Sequence, residues 1–137
     1  MREIKFRGKN KDTNKWVYGW YTKLTEGIRR FDAIISDLNE ELTRFYIHNP
    51  ETIGQYTGFK TQNQSLIYDN SKELFEGDIF RLKNSDTVYL LIFENGRWIG
   101  KSTKGDDWGK FTCEIYNVWK EIILIGNIHD NPNFIEA

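Results

Sequence analysis

Thr87-Val88-Tyr89-Leu90-Leu91-Ile92-Phe93-Glu94-Asn95-Gly96-Arg97-Trp98-Ile99-Gly100 is the stretch that decides the fold class. A β-branched and aromatic run meets Asn-Gly and returns as a second short run. Both turn residues accept positive φ, so Asn95-Gly96 predicts a type I′ turn joining two antiparallel strands. Upstream, Leu74-Phe75 leads into Glu76-Gly77-Asp78 and then Ile79 to Leu82, followed by the Asn84-Ser85-Asp86 turn. Gly allows the sharp corner, and Asp satisfies loop N–H groups that a sheet leaves over. Downstream, Lys101 to Lys110 reads as a polar loop and Glu121 to Ile128 as a buried strand. Tyr116 to Trp119 fits either a strand or one helical turn, since so short a run has no resolvable period. Asn131-Pro132 predicts the cap of a short terminal helix with Pro at its first position. Short strands joined by tight corners in this way build small closed barrels of about five strands.

The same punctuation runs through the first third of the chain. Ile4 and Phe6 alternate with Lys5 and Arg7, which predicts one apolar and one solvated face. Gly8 to Lys15 reads as a turn, and Trp16 to Tyr21 as the partner strand of an N-terminal hairpin. Ile28 to Ile35 and Leu42 to Ile47 give two further strands, and Pro50 ends the run at His48-Asn49-Pro50-Glu51. Gly54 and Gly58 inside Ile53 to Phe59 predict a kinked or bulged strand. Thr61 to Ser65 and Asp69 to Glu73 are polar and read as a surface loop. The fold class expected is all-β: an SH3-type small barrel with an N-terminal β hairpin and one or two short helices at most. It is read as a single domain over 1–137, with the hairpin and strands in 1–48 and the barrel core in 49–137.

Composition supports this class. Apolar residues make up 39% of the 137 residues, but aromatics supply 15%, and large rings pack well across pleated sheets. Cys113 is the only cysteine, so no disulfide forms within the chain. Charged residues begin at Arg2, without the apolar core of a secretory signal. Apolar runs such as Tyr89 to Phe93 fall far short of the roughly 20 residues a membrane helix needs. The cytoplasm is the expected compartment. Net charge is −1, but residues 1–30 carry a net +6 and the rest −7. Opposed ends attract within one fold or between subunits, or the basic end meets phosphate.

The chemistry-bearing residues form no catalytic constellation. Cys113 alternates with Phe111 and Ile115 and is expected to be buried and inert. His48 and His129 stand at no ligand spacing, so neither a metal nor a cofactor is expected. Of the acidic pairs Glu40-Glu41, Asp106-Asp107 and Glu76 with Asp78, only the last sits on a motif, where turn geometry accounts for it. The glycines match neither GxxxxGK[ST] nor GxGxxG. The chain is therefore read as non-enzymatic, with no catalytic residues. The sharper binding hypothesis is nucleic acid. Arg2, Lys5, Arg7 and Lys9 alternate on the expected solvated face of the first strand, and Trp16, Trp20, Trp98 and Trp108 are large enough to stack on bases. The contact residues expected are Arg2, Lys5, Arg7, Lys9 and Trp98. The competing hypothesis is a protein-interaction module or homo-oligomer, since aromatics are enriched at interface cores.

Three blocks of the sequence resemble the YopX-like proteins of bacteriophages and prophages. The first is Arg2-Glu3-Ile4-Lys5-Phe6-Arg7-Gly8 with Trp16-Val17-Tyr18-Gly19. The second is Thr52-Ile53-Gly54-Gln55-Tyr56-Thr57-Gly58-Phe59-Lys60 with Leu74-Phe75-Glu76-Gly77-Asp78-Ile79. The third is Ile125-Gly126-Asn127-Ile128-His129-Asp130-Asn131-Pro132. The resemblance implies an all-β fold with an SH3-type barrel, a phage or prophage origin in a bacterial host cell, and no assigned activity. Between Lys60 and Leu74 the chain departs from the family's short Asn-Gly turn, with a longer stretch containing Leu66, Ile67 and Tyr68. The expectation is an accessory protein acting by protein interaction or self-assembly; the alternative is a small-barrel protein that binds nucleic acid through its basic first strand.

Overall fold

Alternating runs of β-branched and aromatic residues become strands wherever a turn residue lets the chain reverse, and eleven form among the described residues. The computed structural model describes residues 4–38, 41–104 and 109–134, in two compact units, Met1–Tyr56 and Thr57–Ala137. The first holds β1 (Phe6–Lys9), β2 (Trp16–Glu26), β3 (Arg29–Leu38), β4 (Glu41–Ile47) and the start of β5 (Gly54–Lys60), in the antiparallel order β4-β3-β2-β1-β5. The expected N-terminal hairpin is present, with Phe6 opposite Gly19 and Lys9 opposite Trp16. Asn10 makes its turn: its side-chain oxygen accepts from the Asp12 N–H at 2.9 Å, and its own N–H donates to the Lys15 carbonyl at 2.9 Å. Ala33, Ile34 and Ile47 are the buried apolar centre of this sheet.

The solvated face expected for the first strand is not what forms. Arg7 is only 6% exposed, whereas Ile4 is 64% exposed. The Arg7 guanidinium lies 4.5 Å from the Trp16 ring centroid, and a cation held over an indole keeps its attraction while losing water. Alternation separates two faces of a strand but does not say which one water reaches.

The second unit takes in the rest of β5 and β6 (Glu73–Phe75), its neighbour in the strand order, followed by β7 (Asp78–Leu82), β8 (Val88–Glu94) and β9 (Arg97–Ser102). β10 (Thr112–Glu114) runs directly into α1 (Ile115–Val118), and a 3-10 turn over Trp119–Glu121 then leads to β11 (Ile122–Asn127). The order is β10-β9-β8-β7-β11, all antiparallel. Asn95 and Gly96 have φ of 53° and 77°, the pair of positive values the type I′ turn demands. Leu74, Phe80, Leu91, Trp98, Ile115 and Ile122 form the core cluster of this unit. The Glu76-Gly77-Asp78 corner works as its residue types suggest: the buried Asp78 carboxylate accepts from the Phe75 N–H at 2.7 Å. Asn131-Pro132 does open a short terminal helix, a 3-10 turn over Pro132–Phe134.

The mainly β class expected from sequence is present; among the described residues no strand pairing joins β10 to β11. β10 spans three residues before α1 begins. The face predicted for Cys113 also needs correction. Cys113 is half-buried and Ile115 fully buried, but Phe111 is 49% exposed. Burial pushes the Cys113 thiol above its ordinary pKa, which holds it in the less reactive protonated form. Among the described residues no helix is long and apolar enough to cross a membrane.

Candidate functional site

The segment 61–72, between β5 and β6, is rich in Asn, Ser and Asp, side chains that bond to nearby backbone N–H groups. They organise it from base to tip. At the base the Thr61 N–H donates to the Lys72 carbonyl at 2.8 Å, and the Lys72 N–H donates to Thr61 Oγ1 at 2.8 Å. Higher up, Asn63 Oδ1 accepts from Ser65 and Asn70 N–H at 3.1 Å each, while Asn70 Oδ1 accepts from Gln64 N–H at 2.9 Å. Ser65 Oγ then accepts from the Ile67 and Tyr68 N–H groups at 3.2 and 3.3 Å. Asp69 Oδ1 accepts from both the N–H and the hydroxyl of Ser71, at 2.9 and 2.6 Å. These two bonds, with lesser help from the Lys60 charge, hold the Asp69 carboxyl below its ordinary pKa.

An open groove of about 420 Å³ lies along this loop. Its floor is Phe59, from the end of β5, and Trp119, from the helical turn before β11. Their ring centroids are 6.4 Å apart, and Tyr116 meets Phe59 edge-on at 6.3 Å. The Lys120 ammonium stands 5.6 Å over the Trp119 ring. Lys60, Gln62, Asn63 and Asp69 contribute the polar rim. An aromatic floor with a rim of amides and two opposite charges is suited to holding an apolar segment and fixing its backbone. A second groove of about 330 Å³ is lined by Ile122, Ile123 and Leu124 together with Lys72, Lys83 and loop residues including Gln64 and Asn70.

The contact residues expected from sequence fall elsewhere. Arg7 and Lys9 do share one face of β1, with Lys5 just before the strand, and each cation stands over a ring: Lys5 at 5.2 Å from Tyr56, Arg7 and Lys9 at 4.5 and 5.2 Å from Trp16. Arg2 and Trp108 lie outside the described residues. Trp98 is 8% exposed, packed edge-on against Phe93 at 4.9 Å in the second unit's core, so no base can stack on it. Trp20 remains 53% exposed, in one cross-strand row with Ile35 and Arg44. Among the described residues no group of three or more His, Cys, Asp and Glu could share a metal ion.

Phe59 and Trp119 were missed as a pair because sixty positions separate them and only tertiary packing joins them. The loop carried a usable signal. An apolar triplet, Leu66-Ile67-Tyr68, interrupts residues of turn-capping type, which is unusual for a segment that merely connects two strands.

Residues 5–136 match the family model described as YopX protein. No curated protein matches the chain.

Proposed function

The chain belongs to the YopX protein family, and on that footing we propose that it is a non-enzymatic phage or prophage accessory protein that acts in the bacterial cytoplasm by binding another polypeptide. One observation carries this reading: the Phe59–Trp119 groove, an aromatic floor beside a loop held by its own hydrogen bonds. A preordered loop loses little conformational freedom when a partner docks, so more of the contact energy appears as affinity. Asp69 suits the same role. With its pKa lowered by Ser71, it offers a fixed negative charge near neutrality rather than a transferable proton.

The second unit is read as a small barrel of SH3 type. The consecutive order β9-β8-β7, the helical turns before the last strand and the return of β11 beside β7 support that reading. Nucleic acid is the second reading, favoured by the exposed Trp20 in one row with Arg44. It would use aromatic stacking beside a cation.

Affinity capture from phage-infected cells tests both readings, comparing the wild type with Trp119→Ala, each with and without nuclease. Proteins held by the wild type through nuclease treatment and lost from a folded Trp119→Ala variant support the groove. Identical capture by the two proteins refutes it. Material lost only on nuclease treatment, with retention that falls as salt rises, assigns the protein to nucleic acid.

A further inference from the structure

The tip of the 61–72 loop carries three consecutive apolar side chains in full contact with water. Leu66 is 105% exposed, Ile67 92% and Tyr68 66%. Contiguous exposure of this kind marks an interaction site rather than a connection between strands. The tip is also held in place, since Ser65 Oγ accepts from the Ile67 and Tyr68 N–H groups and Asn63 and Asn70 cross-link the loop beneath them.

We propose that this tip inserts into the Phe59–Trp119 groove of a second copy of the same chain, and that the second copy returns the contact. The inference rests on the groove being a polypeptide-binding site, and it names the polypeptide. Three observations favour a second copy. First, tip and groove are built from one loop: residues 61–63, 69 and 71 line the groove, and residues 66–68 form the tip. A knob adjacent to its own matching hole is the arrangement a two-fold, self-complementary interface requires. Second, the groove is open and about 420 Å³, room for apolar side chains to lie in it, and its floor is aromatic. Third, the rim carries Lys60 and Asp69, opposite charges that pair reciprocally when two rims face each other about a two-fold axis. A lipid surface is the less favoured occupant, because the residue directly after the tip is an ionised Asp69, which anionic lipid repels.

Sedimentation velocity of the full chain across the micromolar range tests the proposal. The expected result is a mass that doubles with concentration for the wild type. The double variant Leu66→Ser with Ile67→Ser, and separately Trp119→Ala, should each dimerise at least roughly tenfold more weakly. An equimolar mixture of these two variants should form a heterodimer that neither forms alone, because one keeps its groove and the other its tip. Simple loss of folding cannot produce that rescue. A wild type that is monomeric throughout, variants that self-associate like the wild type, or a mixture without a heterodimer would each overturn the proposal. So would a monomer that sediments with phosphatidylglycerol vesicles through Leu66 and Ile67. A monomeric wild type whose captured proteins are still lost on Trp119→Ala overturns self-docking while leaving the groove reading intact.

Discussion

Replacing Thr57 with Val tests whether the block Thr52 to Lys60 is a hydrogen-bonding device. Thr57 is fully buried; its hydroxyl donates to the Leu74 carbonyl at 2.8 Å and accepts from the Phe59 N–H at 3.0 Å. Val is close to isosteric, so packing is preserved while both bonds disappear. A buried polar group left without a partner costs roughly 1–3 kcal/mol. Leu74 is itself fully buried, so its carbonyl gains nothing from water, whereas half-buried Phe59 recovers part of its loss. The expected destabilisation is about 2–3 kcal/mol, seen as a Tm roughly 6–12 °C below wild type for a chain of this size. Thr57→Ser keeps the hydroxyl and removes one methyl, at a cost of about 1 kcal/mol. Urea unfolding followed by far-ultraviolet circular dichroism ranks the three proteins. A Val variant as stable as the Ser variant, or more so, refutes the reasoning, because a site that only needs a β-branched shape prefers Val.

A Cβ at Gly19 would lie 2.1 Å from the Ile35 carbonyl oxygen, at a φ of +157°. Gly19→Ala should therefore break β2–β3 pairing and cost more than about 3 kcal/mol, and an unchanged Tm would refute this. Tyr21 donates to Asp32 Oδ1 at 2.5 Å, and this bond, with burial and the Asp32 charge, pushes its pKa up to about 12 from 10.0. A proton held more tightly in the folded state stabilises fully below pH 10 and is lost as pH rises through about 12. Tyr21→Phe should remove that alkaline loss of stability, and pH titrations of the two proteins with matching alkaline slopes would contradict it. At Gly126, a Cβ would meet Asn131 Oδ1 at 2.2 Å. Gly126→Ala should destabilise the wild type but cost much less in an Asn131→Ala background; additive effects in that double-mutant cycle would exclude the contact.

Local signals were legible where one or two residues determine backbone geometry. Asn95-Gly96, the Asp78 corner and Pro132 each act within a few positions and are read correctly from neighbours alone, whereas the turn expected from Gly8 to Lys15 begins only after Lys9, because Gly8 and Lys9 pair with Val17 and Trp16 in β1. What the sequence does not carry is which face a partner element covers. Arg7 and Trp98 show this in opposite senses: a guanidinium expected in water is buried on Trp16, and an indole expected at a binding surface is in the core. Both side chains have an apolar body and a polar end, so composition allows either placement. The candidate groove was out of reach for a related reason, since Phe59 and Trp119 meet only through long-range packing.

The blocks that carry the family likeness turn out to be those that close the backbone on itself. Thr52 Oγ1 accepts from the Lys9 N–H at 3.1 Å, Thr57 and Asp78 satisfy main-chain groups around β6, and Asn127 Oδ1 accepts from His129 and Asp130 N–H at 3.0 and 2.9 Å. Residues engaged in this way specify a fold and leave few polar atoms for a ligand. Trp119 and the 61–72 loop lie outside those blocks. If the blocks build the scaffold and the loop selects the partner, the two are separable. Replacing 61–72 with a short Asn-Gly turn should then preserve β5–β6 pairing and thermal stability while abolishing the contact made by Leu66 and Ile67. A protein that fails to fold without its loop would show instead that the loop is part of the scaffold, and that its exposed tip is incidental.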